Sequence, residues 1–424
     1  VPENELRVGV AFGGRSVEHD VSIITALQAM AALEERHAPV PIYIARSGRW
    51  YTGETLKDLA TYQHDGGDPA AEEIMFDLHG GRLLRVASAS GASASEGGSA
   101  LRPPWRSAGA RRAGVRRAGG RGNQSIELDA VVLATHGTQG EDGCLQGALE
   151  LARVPYVGPP VGAAAAAMDK AMTKALLAQA GLPALPHITL RRERWEADRE
   201  TCRAWVRDAF DFGAGGAIYV KPASLGSSVG VSRCEDEAAL ADALELALEL
   251  DRVCIVEPAA EGGIEVNCAV IGRPGVKPRA SVCEQPVATD GLLSFEDKYM
   301  RSGKAQGMKS AQRLIPAPIS DELTEQVQEL ACAAFAAFGC AGVTRVDFLI
   351  DEQERVWINE LNTIPGSFSF YLWEPAGLPF ADLLDELLDL AMADHAEQQR
   401  TTTVFDTNLL ALRGAGGAKT GEKG

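Results

Sequence analysis

Hydrophobic positions along this chain form short runs, most of them followed by stretches with helical spacing. Arg7–Phe12 (RVGVAF) is an apolar run that stops at Gly13-Gly14. After it, Val21, Ile24, Leu27 and Ala31 recur every three or four residues, which predicts a helix with that face buried. PVPIYIA and Asp129–Ala134 (DAVVLA) read as further strands. Strands alternating with helices predict a parallel α/β domain over residues 1–157.

A second region, 158–260, opens with MDKAMTKALLAQAGLP, which reads as one helix ended by Gly181 and Pro183. AIYVKPASLGSSVGVSRC reads as two strands of a hairpin with a Gly/Ser tip. EDEAALADALELALEL places Leu240, Ala243, Leu244, Ala247 and Leu248 on one helical face, and RVCIVEPA is a strand. The third region, 261–395, starts with the alternating strand GGIEVNCAVIG. It continues with a helix over Ser320–Phe338 whose face is Leu323, Val327, Leu330 and Ala334. The strands VTRVDFLI and RVWINEL and a helix near Phe380–Met392 close it. Residues 396–424 are polar and Gly-rich and predict a disordered tail.

Composition adjusts this picture in three places. A length of 424 residues suffices for two or three domains with real cores. No run approaches the ~20 uncharged apolar residues of a membrane helix, and the eight cysteines show no pairing rhythm. The expectation is a cytoplasmic protein with reduced thiols and no membrane partner. A net charge of −17 argues against nucleic acid as a general partner. Residues 88–124 run against that charge: they carry seven arginines, Arg102 to Arg121, among Gly, Ala and Ser. Such a stretch builds no core and reads as a disordered insertion, with an RNA-binding arm as the alternative.

The candidate chemistry sits at strand ends. In DFLIDEQERVWINELN, Glu360 and Asn362 share a strand face, and Asp347 heads the neighbouring strand. Two carboxylates and an amide offer hard oxygens, which suit Mg²⁺. Arg345 shares the face of Asp347 and suits an anionic transition state. In KPASLGSSVGV, Lys221 precedes a Gly/Ser loop whose N–H groups can wrap phosphate oxygens. His136 in HGTQGEDG follows a strand, where α/β domains bind ligands, and Glu18 falls in the first turn of a helix, where an acid suits the dipole. The polar, basic segment SFEDKYMRSGKAQGMKSAQRLIPA has the length of an active-site lid.

These blocks, in this order, resemble the D-alanine–D-alanine ligases of the ATP-grasp superfamily. The matching blocks are GGRSVEHDVS, HGTQGEDGCLQGALELARVPYVG, AMDKAMTKALLAQAGLP, YVKPASLGSSVGVS, FEDKYM, GVTRVDFLI and NELNTIPG. The resemblance implies an α/β and α+β chain of three domains, with ATP grasped between the second and third. It implies Lys170 and Lys221 on ATP phosphates, Glu257 at the adenine edge and Glu265 at the ribose. Asp347, Glu360 and Asn362 would hold Mg²⁺, with Mn²⁺ an alternative, as two ions. Arg345 and the Gly366 N–H would stabilise an oxyanion. Glu18 would hold the first ammonium near His136, and Glu18, Ser227 and Tyr299 would link the domains. Lys298 would face the second substrate's carboxylate. The family is commonly a homodimer acting on small amino acids, and Tyr299 leans toward an amine acceptor.

The chain departs from the family after Gly366. SFSFYLWE follows at once, where the family runs about four residues longer and carries a serine that grips the second carboxylate. That place is taken by Tyr371 or is deleted. The expectation is therefore a ligase of two D-alanines for peptidoglycan precursors. The alternatives are a different acceptor, as in secondary metabolism, or a nucleotide-binding protein without turnover.

Overall fold

The computed structural model describes residues 5–63, 71–86, 125–210, 216–260, 263–287 and 313–404. Lys298, Tyr299, the Arg-rich stretch and the tail beyond 404 lie outside them. Among the described residues the strands form three sheets.

The first sheet has the order β6-β5-β4-β3-β2-β1-β7-β8. Its strands are β1 (Arg7–Gly13), β2 (Ala38–Ile44), β3 (Trp50–Thr52), β4 (Glu72–Asp77), β5 (Arg82–Arg85), β6 (Ser125–Glu127), β7 (Ala130–Leu133) and β8 (Tyr156–Val157). The pairs β2-β1, β1-β7 and β7-β8 are parallel, as the alternation of strand and helix predicts. β3 to β6 extend the sheet antiparallel, an extension the pattern did not announce because those strands are short and half-exposed. β1 is buried on both faces from Val8 to Phe12, as a central parallel strand must be.

Helix α1 (His19–Leu33) follows β1. Its buried face differs from the predicted one. Ile24 and Ala31 point outward, while Ser22, Thr25, Ala26, Ala29 and Leu33 point in. The hydroxyls at Ser22 and Thr25 mislead a hydrophobic count, yet each is buried with a hydrogen bond: Ser22 Oγ donates to Ala134 O at 2.7 Å, and Thr25 Oγ1 lies 2.9 Å from His136 Nε2. Helix α2 (Cys144–Ala152) completes this part.

The expected helix over MDKAMTKALLAQAGLP forms, starting at Lys170, and a separate helix that the pattern did not announce precedes it. α3 (Val161–Met168) stops at Asp169, which N-caps α4 (Lys170–Gln179) by accepting from Ala171 N at 2.8 Å and Met172 N at 3.0 Å. Aspartate is among the strongest N-caps, so a break is favoured where the run of alanines ends. The break puts Lys170 at the head of a helix.

The second sheet, β11-β10-β12-β9, is built from β9 (Ile188–Arg191), β10 (Ile218–Pro222), β11 (Ser232–Cys234) and β12 (Val253–Pro258). It is flanked by α5 (Arg192–Ala197), α6 (Arg199–Ala209) and α7 (Glu237–Leu250). All five residues expected on the inner face of α7 are buried.

The third sheet has the order β15-β14-β13-β16-β17. Its strands are β13 (Ile264–Gly272), β14 (Arg279–Pro286), β15 (Arg313–Leu314), β16 (Gly342–Ile350) and β17 (Val356–Asn362). One face packs Val266, Cys268, Val346 and Phe348 against α8 (Asp321–Phe338). The other face turns toward α1 and toward two further helices, α9 (Phe370–Trp373) and α10 (Phe380–Gln399). α10 runs past the expected end at Met392 and through 396–399. Its Leu383, Leu384, Leu387 and Leu388 join Val10, Ala26 and Val343 in one apolar cluster, each leucine worth about 1.5–3 kcal/mol. The first and third sheets therefore share a core, and that core holds the site's two halves in register.

Candidate active site

The third sheet supplies a square of polar side chains. Arg345 pairs with Asn362 across β16–β17, and Asp347 pairs with Glu360. Directly opposed residues of an antiparallel pair share a face, so the four side chains stand together. Arg345 grips Asp347 with both ends of its fork, Nε to Oδ1 at 2.6 Å and Nη2 to Oδ2 at 2.7 Å. Asn362 Nδ2 donates to Asp347 Oδ2 at 2.9 Å. Burial disfavours the Arg345 cation, but Asp347 outweighs it and keeps the guanidinium charged at every relevant pH. The expected metal set is thus brought together. Two carboxylates and an amide, all oxygen donors on one rigid hairpin, fit a hard divalent cation.

The second region supplies the cations. Lys170 Nζ donates to Leu225 O at 2.7 Å and lies 4.0 Å from Glu360 Oε2. Burial pushes its ammonium pKa down, so the site receives a lysine poorly compensated before any anion arrives. Lys221 bonds the Glu257 carboxylate and donates to Asn359 Oδ1 at 3.2 Å. Lys174, which no motif in the sequence singles out, reaches Glu257 Oε2 at 2.9 Å. Burial alone would raise the Glu257 carboxyl, yet the two lysines hold it at about 2. Glu257 lies 1 % exposed between them. The structure thus places it in a buried ion triad. The readable signal for Lys174 is its position four residues after Lys170, on the same helical side.

Glu18 comes from the first sheet's β1–α1 turn. Its side chain makes no capping bond to α1; the carboxylate instead accepts from the Ser227 hydroxyl in the β10–β11 loop. The expected dipole role is therefore not the one observed. Two glycines make room for it. A Cβ at Gly226 would stand 2.9 Å from Glu18 Oε2, and one at Gly137 would stand 2.8 Å from the same atom. Ser227 and Ser228 take left-handed backbone, φ 52° and 58°, which turns the loop tip onto the acid. Burial, then the nearby Glu141 carboxylate, raise the Glu18 carboxyl above its ordinary value.

His136 is buried beside Thr25, with Nδ1 4.0 Å from Glu141 Oε1. The loop after Gly366 is held from below. Ser367 N donates to Thr25 Oγ1 at 3.1 Å, and Ser367 Oγ donates to Gln28 Oε1 at 2.6 Å. Ser367, Phe368 and Ser369 are all left-handed, φ 53°, 53° and 50°. Three consecutive non-glycine residues in that region are costly and persist only where packing dictates them. Neither Thr25 nor Gln28 carried a motif in the sequence. Glu265 lies on β13 on the same face as Asn267, and Tyr371 is buried in α9 with its hydroxyl donating to Glu284 Oε1 at 3.1 Å.

One cavity joins these parts. Glu18, Glu141, Lys170, Gly226, Glu360 and Asn362 line it, drawn from all three regions. Fold and site together define an ATP-grasp ligase, with residues of all three regions meeting at one cavity. The matching family models are the D-ala D-ala ligase N-terminus over residues 7–159 and the D-ala D-ala ligase C-terminus over 176–389. The chain belongs to the D-alanine–D-alanine ligase family. A curated D-alanine–D-alanine ligase from Chlorobium limicola is 37% identical over 390 residues, 91% of this chain and 96% of that one. The solved D-alanine–D-alanine ligase of Coxiella burnetii superposes with a TM-score of 0.71 at 28% identity, covering 93% and 98% of the two chains. The VanG D-Ala:D-Ser ligase of Enterococcus faecalis superposes at 0.68 with 26% identity, covering 92% and 100%. Among the described residues no helix is long and apolar enough to cross a membrane, and all eight cysteines are free thiols.

Proposed function

We propose that the chain uses ATP to join two D-alanines, supplying a dipeptide for peptidoglycan precursors. The observation that carries this reading is a cavity lined by Glu18, Lys170, Glu360 and Asn362, the last two being the β17 half of the square whose β16 half is Arg345 and Asp347. A carboxylate oxygen of the first D-alanine attacks the γ-phosphorus, giving an acylphosphate and ADP. The amine of the second attacks the carbonyl, and phosphate leaves. Lys170 and Lys221 hold the phosphates, and Glu18 with His136 orients the first ammonium. Arg345 and the Gly366 N–H face the oxyanion. Asp347, Glu360 and Asn362 would hold Mg²⁺, or Mn²⁺, as two ions, which neutralise the charge of two anionic reactants. Glu257 and Glu265 stand on the nucleotide side, Glu257 fixing both lysines.

We divide the chain into 1–157, 158–260, 261–395 and a tail, a reading supported by one sheet in each of the first three parts. We read the protein as a cytoplasmic homodimer. Its free thiols support the compartment, and the family's habit supports the dimer.

A second reading keeps the chemistry and changes the acceptor. It is favoured by the short loop after Gly366, in which the place of the family's acceptor-gripping serine is by count either taken by Tyr371, whose ring is buried, or deleted. The test of both is phosphate release with Mg²⁺-ATP and D-alanine alone, the product weighed. D-alanyl-D-alanine is the expected product. Silence with D-alanine but turnover with another amino acid present moves the assignment to the second reading.

Glu18 adds a pH dependence. Its raised carboxyl stays protonated to higher pH than a free glutamate, while a substrate ammonium needs the carboxylate. The KM for the first D-alanine is therefore expected to fall as pH rises, by up to about tenfold per unit on the acid side, with kcat nearly level. A flat KM profile, or the same slope in Glu18→Gln, contradicts the assignment.

A further inference from the structure

The polar square is the end of a longer row. Glu284, Asn267, Asp347 and Glu360 are successive partners across β14, β13, β16 and β17. All four therefore stand on the same face, about 4.8 Å apart from strand to strand. Lys170, 4.0 Å from Glu360, marks one end of the row as the phosphate end. The opposite end, about 10 Å beyond Asp347, is built around Glu284.

Glu284 is 1 % exposed and fully engaged. One oxygen accepts from Asn267 Nδ2 at 3.1 Å and from the Tyr371 hydroxyl at 3.1 Å. The other accepts from Arg313 Nη1 at 2.9 Å. The Arg313 guanidinium also lies over the Tyr371 ring, 4.4 Å from its centre. An arginine fixed by a carboxylate on one side and an aromatic face below is oriented before any ligand arrives. Beside it, Asn267 gives its Nδ2 to Glu284, while its Oδ1 is buried with no hydrogen-bond partner among the described residues. A stranded acceptor of this kind calls for an N–H.

We propose that Arg313, held by Glu284 and stacked on Tyr371, determines acceptor specificity by binding the carboxylate of an incoming α-amino acid, whose amine is directed by Asn267 Oδ1. This rests on the ligase reading above. The acceptor amine must approach a carbonyl held near Arg345, from the side away from ATP. Arg345 has both ends of its fork on Asp347, so it is the less adaptable partner for a second carboxylate. Arg313 stands on the correct side. Tyr371 and Arg313 together replace, in a different place on the sheet, the contact that a short loop after Gly366 does not supply.

The experiment compares D-alanine with D-alaninamide, which lacks the carboxylate, as acceptors for a D-alanyl donor, the products weighed. The parent is expected to prefer D-alanine by about 100-fold in kcat/KM. R313M should lose most of that preference, with the acceptor KM up by about 100-fold, while D-alanine-dependent isotope scrambling between bridging and non-bridging oxygens of ATP persists. R313K keeps charge and much of the volume, so it guards against a folding failure. Its acceptor KM should rise by about tenfold, since an ammonium cannot reproduce the fork. An unchanged acceptor KM in R313K, or retained preference in R313M, overturns the inference. Absence of scrambling in the parent overturns the ligase reading instead.

Discussion

Glu360→Gln is expected to lower phosphate release by about 10³-fold or more while weakening nucleotide binding by no more than about tenfold. The substitution preserves shape and removes one charge. Glu360 faces Asp347 across β16–β17 and stands 4.0 Å from Lys170, so on the proposed reading it would serve both the cation-binding square and the phosphate end of the row. On that reading the ground-state nucleotide would keep Lys170, Lys221 and the β10–β11 loop, which accounts for a small loss of affinity. Asp347 and Glu360 would together hold the cations that offset repulsion between the phosphoryl group and an anionic nucleophile, which accounts for a large loss of rate. The measurement is steady-state phosphate release at saturating ATP and D-alanine, beside direct titration of nucleotide. Turnover within tenfold of the parent would remove Glu360 from the site. Equal losses in affinity and rate would make it a binding residue only.

Legibility in the sequence followed the physics of each part. The parallel strands and α7 were readable because their burial is periodic and nearly pure. The α1 face is not legible from apolar spacing because its inner positions include Ser22 and Thr25, whose polarity is satisfied by Ala134 and His136 far along the chain. The helix after Asp169 was legible from its spacing and its Gly181 stop, whereas α3 before it was not, since a run of alanines carries no amphipathic pattern. The square of Arg345, Asp347, Glu360 and Asn362 was legible because strand alternation alone aligns it. Glu284, Arg313 and Asn267 were not. They are joined only by the register of β14, β13 and β15, and a register between distant strands has no local signature. Lys174 was hidden for the same reason, since its partner Glu257 lies in another element.

That buried partner gives the largest expected effect on stability. Glu257→Leu is expected to destabilise the protein by about 3–5 kcal/mol, seen as a lower urea midpoint at unchanged slope. The carboxylate is the shared counter-ion of Lys174 and Lys221, which bond different oxygens of it. Lys174 is 2 % exposed, so without Glu257 its ammonium loses its counter-ion in the interior. The double variant Glu257→Leu/Lys174→Met should recover part of the loss, because an apolar pair of similar volume removes the uncompensated charge. The sign with pH follows from the depressed carboxyl. Its contribution is complete above the unfolded value of 4.5 and fades as pH falls toward about 2, so parent and variant should converge in strong acid. If the double variant is no more stable than Glu257→Leu, the loss comes from packing around residue 257 rather than from stranded charge. The triad would then be a nucleotide-binding device with no structural share.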